Sequence, residues 1–164
     1  MEHQVSADEI SRAKQLHAYL LFDFIVVHVF VFVVALGLMS TSYIPLMLMP
    51  VLSLSLLGIV ILKASKAKNE PSQFVRCHMM LAAKRAKLFM GLFLVTFSFT
   101  AAMLFGGAQL GFSPIASKSL AFGIGQLPFM VALLALVVME YDAEHQCKTG
   151  KIPAAALKLD TKTA

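Results

Sequence analysis

Residues 23–63, DFIVVHVFVFVVALGLMSTSYIPLMLMPVLSLSLLGIVILK, hold no Lys, Arg, Asp or Glu between the first position and the last. A helix needs roughly 20 apolar residues to cross a hydrocarbon core of about 30 Å. The stretch is too long for one crossing and suits two. Ser40, Thr41 and Ser42 supply the break between them. Pro45 fits the first turn of the second helix, where its missing N–H has no intrahelical acceptor to lose.

Two further charge-free stretches, residues 88–117 and 119–139, have the same meaning. The chain is 59% hydrophobic and 14% charged, with a mean hydropathy of +0.78. Soluble domains are nearer half apolar and a quarter charged, so a soluble core is excluded. The expected fold class is all-α, an integral membrane four-helix bundle. It forms a single membrane domain over 1–164, with spans near 20–39, 44–63, 88–110 and 119–140. The first span is preceded by a segment with both acids and bases, exceeds a signal-peptide core and has no small-residue cleavage site after it. It is expected to be retained.

Of the 14 basic residues, all but Lys118 fall in the N-terminal segment, the connection between the second and third spans, or the C-terminal tail. Four spans place those three segments on one face, and basic residues mark the cytoplasmic side. Both termini are therefore expected in the cytoplasm of a bacterial inner membrane. Tyr19 and Tyr141 at the inner ends of spans one and four, and Tyr43 at the outer start of span two, suit interfacial depths. The net charge of +5 follows from this topology, with some attraction to anionic headgroups, and not from nucleic-acid binding.

Helices one, three and four are expected to continue into the cytoplasm as a collar. Ser6-Ala7-Asp8-Glu9 has the form of a capping box, so helix one is predicted over about 7–39. Pro71 is placed near the first position of helix three. Phe74, Cys77, His78 and Leu81 then form one apolar stripe against Arg76 and Lys84. Helix four should end at Gly150, with Pro153 beyond it, and 151–164 reads as a loose tail. Pro128, with Gly123 and Gly125, is expected to kink helix four. Ser98, Ala102 and Gly106 form a small-residue ladder on span three, suited to close helix approach and expected chiefly within the chain.

Intramembrane polar residues are costly and therefore functional candidates. Asp23 is expected to pair with Lys63 or Lys87 near the headgroups, a proton-relay role being the sharper option. Gln109 and Gln126 could bond across helices. His28 lies near the midplane and His17 three turns earlier on the same stripe. Together they raise the possibility of haem b or quinone, with Met130 or a second copy's His28 completing the ligation. The simpler expectation is a neutral His28 bonded to Ser53, Ser55 or Ser98. Cys77, Cys147, His17, His78 and His145 share the collar, but their spacing does not match a zinc or copper site, and no metal is expected.

No P-loop, HExxH, GxGxxG or GxSxG occurs, and no carboxylate or histidine pair suited to lipid chemistry can be assembled from the spans. In size, span number and basic loops the chain resembles colicin-type immunity proteins, a likeness of architecture without shared motifs. Toxin immunity is what that likeness would imply. The expected function is a non-catalytic accessory or structural subunit of a larger membrane complex. Its partners would be the lipid bilayer and other membrane subunits or further copies of itself.

Overall fold

The computed structural model describes residues 5–38, 41–42 and 44–160, and these are all-α, with no strand among them. Ser40, Tyr43 and residues 161–164 lie outside the described residues. The four long helices are α1 (Ala7–Leu38), α2 (Ile44–Asn69), α3 (Gln73–Gly106) and α4 (Pro114–Lys148), followed by a short α5 (Ala154–Asp160). Each long helix is long and apolar enough to cross a membrane, and only 22–39% of its most apolar window is buried. Helices this apolar with so little of that surface hidden point to a multi-pass membrane protein.

Local chemistry explains the ends. The Ser6 hydroxyl accepts from the Glu9 amide at 3.3 Å and the Glu9 carboxylate from the Ser6 amide at 2.8 Å, completing the capping box. The amides of Thr41 and Ser42 both return to the Leu38 carbonyl, closing the first helix. α3 starts at Gln73, two residues after Pro71, with the Ser72 hydroxyl capping the Val75 amide, so Pro71 lies just before the helix rather than in its first position. α4 starts earlier than the span predicted from residue 119, because Ser113 caps the Ala116 amide and Pro114 takes the first position.

Two stretches widen to i→i+5 bonding, Asp23–Val31 and Ala121–Gln126. The second ends two residues before Pro128. There the irregularity expected as a proline kink takes the form of a wider turn, which reroutes the carbonyls that Pro128 cannot serve.

The chain, expected as one membrane domain, divides into two compact units, residues 1–87 with 137–164 and residues 88–136. In the first, the predicted stripe of Phe74, Cys77, His78 and Leu81 is buried. Gly150, at φ +69°, ends α4 as predicted. Its amide returns to the Cys147 carbonyl and that of Lys151 to Gln146, which reverses the chain sharply. The tail that follows is not loose over its described part. α5 buries Ala156 and is held by Arg76, whose Nε and Nη2 donate to Asp160 at 2.8 and 3.1 Å.

The second unit packs Phe89 and Phe93 against Phe129, with ring centroids 5.5 and 6.1 Å away. Close approach there occurs at Gly107, where a Cβ would lie 2.1 Å from the Ser117 hydroxyl, and at Gly125, where one would lie 2.7 Å from that of Thr100.

Candidate functional site

The faces that α1, α3 and α4 bury within the first unit bring four ionisable side chains together. His17 comes from α1, on the face of Ala13, Leu16 and Leu20. His78 and Arg85 come from α3, seven residues apart on the extended Phe74–Leu81 stripe. Glu140 comes from α4, on the face of Ala143 and Cys147. His17, His78 and Glu140 are fully buried and Arg85 nearly so.

The contacts form a chain. His17 Nδ1 meets Glu140 Oε1, and Arg85 Nη1 donates to Glu140 Oε2 at 2.7 Å. His17 Nε2 meets His78 Nδ1 at 2.8 Å, and His78 Nε2 meets the Lys151 carbonyl at 3.1 Å. The two imidazoles stand edge to face at 5.1 Å, and Phe74 backs His78 at 4.7 Å.

A carbonyl only accepts, so His78 Nε2 donates to Lys151, and His17 bridges His78 to Glu140 through its two ring nitrogens. Arg85 brings a positive charge to the Glu140 carboxylate, and among the described residues its buried Nε has no hydrogen-bond partner. The turn at Gly150 serves this site, because it presents the Lys151 carbonyl to His78.

A second polar contact lies further along α1. Ser53 donates to Asp23 Oδ2 at 3.1 Å, and His28 Nδ1 donates to the Asp23 carbonyl at 3.1 Å, a five-residue reach that matches the widened turn. The other carboxylate oxygen lies 3.7 Å from His28 Nδ1.

Several expectations change here. Asp23 does not pair with Lys63, which donates to Gln15 at 3.0 Å and sits over the Tyr19 ring; Asp23 is too deeply buried for that ammonium. The Ser53 hydroxyl serves Asp23, that of Ser55 returns to the Val51 carbonyl, and neither bonds His28. His17 and His28 do not form one site. Both ring nitrogens of His17 are engaged, so it could ligate an iron only by giving up Glu140 or His78. The carboxylate–histidine pair that the spans did not offer exists as His17 with Glu140.

Ser98 and Ala102 are exposed and Gly106 is half-buried, so the ladder is not the seam of the second unit. Gln126 is half-buried there and joins no hydrogen bond among the described residues. Cys147 packs with Ala13, Phe74 and Val75, and Cys77 with Leu81, Ala143 and Ala156. The two thiols thus fill separate buried clusters, and Cys147 Sγ also donates to the Ile10 carbonyl at 3.7 Å. His145 is exposed.

Sequence reasoning missed Glu140 and Arg85. Glu140 read as the end of a charge-free run, and Arg85 as one of many topology-setting cations. The available signal was the stripe of α3, which continues from Leu81 to Arg85 at helical spacing.

These features point to an all-α multi-pass membrane protein, and the described residues include a buried His–Glu–Arg network. No protein-family model matches the chain, and neither does any curated protein or solved structure compared with it.

Proposed function

We propose that this chain is a non-catalytic multi-pass protein of a bacterial inner membrane, with both termini cytoplasmic. It serves as an accessory or structural subunit of a larger membrane assembly. The observation that carries this reading is the exposure of Ser98 and Ala102 on α3. Helices in lipid associate by close packing at small residues. Within the second unit that role falls to Gly107 and Gly125, and the ladder face remains for another subunit or a second copy. The closed network supports a scaffold role. Its four side chains bond one another and the backbone. The distribution of basic residues supports the orientation.

The test is a photo-cross-linking residue at Ala102 in the native host, compared with one at exposed Val131. A discrete protein adduct at 102, absent at 131 and lost when Ser98 and Gly106 are changed to Leu, is the expected result. Lipid adducts alone at both positions, with a chain that purifies by itself, would refute the reading.

The alternative is a redox subunit that uses His28 for haem b or quinone. It draws on the Nδ1–H held by the Asp23 carbonyl, which makes Nε2 the basic nitrogen, as in many metal-ligating histidines. A Soret band that shifts on reduction in the same preparation, and is lost in His28→Ala, would establish it.

A further inference from the structure

We propose that a groove in the first unit binds the phosphate headgroup of an anionic glycerophospholipid. The groove is formed by the end of α2, the N-terminal part of α3 and α5, and its cavity is about 690 Å³. Lys68, Lys84 and Lys87 line it. None of the three ammonium groups makes an ion pair or hydrogen bond among the described residues. The one carboxylate in the groove, Asp160, is already engaged by Arg76 through two oxygens and by Gln73 at 3.3 Å. Lys84 and Lys87 are three residues apart and so share a face of α3. Three like charges around one cavity repel each other, and a bound phosphate offsets that repulsion with charge-assisted hydrogen bonds.

The position selects a lipid over a free anion. α2 passes from apolar to charged sequence at Leu62 and Lys63, and α3 passes back at Lys87 and Leu88, so the groove lies where both helices cross that boundary. For helices that span a bilayer, this is headgroup depth. Met80, Ala83 and Leu159 give the groove apolar walls. Leu62, just before it on α2, is 70% exposed and provides a surface for an acyl chain. Basic pockets between helices at this depth hold anionic headgroups. The inference uses the membrane reading of the helices and is independent of the accessory-subunit role.

The test is native mass spectrometry of the full chain released from nanodiscs of phosphatidylcholine doped with phosphatidylglycerol, backed by thermal unfolding in detergent with each lipid added. The wild-type chain should retain phosphatidylglycerol selectively and be stabilised by it over phosphatidylcholine. Lys68→Gln/Lys84→Gln/Lys87→Gln should weaken retention by roughly fivefold per lysine, on the order of a hundredfold for three. A control with the same charge loss, Lys14→Gln/Lys118→Gln/Lys151→Gln, should stay within about twofold, because those ammonium groups act from outside the groove.

Equal retention of the two lipids by the wild-type chain would overturn the proposal without recourse to any variant. So would equal losses in the two triple variants, which would mean diffuse attraction to the whole basic face. Inorganic phosphate that stabilises the chain as much as phosphatidylglycerol would mark a soluble-anion site and overturn the lipid assignment.

Discussion

Glu140 is the residue on which the network turns, since its two oxygens face Arg85 and His17 separately. Removing one member of a buried charge pair leaves the other charged and unsolvated, a loss of about 3–5 kcal/mol. Glu140→Ala is expected to lower folding stability in detergent by that amount, measured by thermal or denaturant unfolding. Glu140→Gln, which keeps an acceptor in place, should lose less. The decisive comparison is a double-mutant cycle with His17→Ala. Once Glu140 is gone, truncating His17 should cost far less than it does in the wild-type chain, because the two act as one unit. Strictly additive losses would mean the two side chains do not interact.

At the scale of elements, α5 depends on one bidentate contact. Arg76 donates to Asp160 and holds its carboxyl below the ordinary carboxylate value, Gln73 adding to the effect. A carboxyl whose folded value is depressed contributes stability above its unfolded value and loses it as pH falls through the folded one. Protection of residues 154–160 against hydrogen exchange, taken relative to the intrinsic rate at each pH, should therefore be high at neutral pH and fall only on acidification into and below the usual carboxylate range. Arg76→Gln should show the fast exchange at neutral pH already. Exchange that is equally slow in both chains at pH 7 would mean that Ala156 and its neighbours, and not the Arg76 contact, hold the helix in place. α1 and α4 show another element-scale effect. Their widened turns occur where a side chain uses a carbonyl, at Asp23 and His28, or where Pro128 cannot serve one.

For the whole molecule, the four long apolar helices and the basic-residue bias together make a topology prediction. Alkaline phosphatase fused after residue 164 should be inactive and a fluorescent protein there bright, as for a cytoplasmic end. The same reporters fused after Gly111 should give the reverse. Active phosphatase at both points would require an even number of crossings between them, where the four-span reading has one, and that reading would fall.

The sequence by itself determined the four long helices and some of their ends. Charge-free runs, the Ser6–Glu9 box and the turn at Gly150 act over a few residues, and the physics behind them is local. Much of the buried face of α3 was legible for the same reason, since helical spacing places Phe74, Cys77, His78 and Leu81 together. The candidate site was legible only in part. His17 and His78 could be placed at one polar end, but Glu140 meets His17 across 123 residues and Arg85 across 55. Only the packing of three helices decides which faces meet. The same holds for Asp160, 84 residues from Arg76, which turned an expected loose tail into a docked helix. Tertiary structure also left Ser98 and Ala102 exposed, because Gly107 and Gly125 already supply the close approaches of their unit, and a ladder motif does not specify its partner.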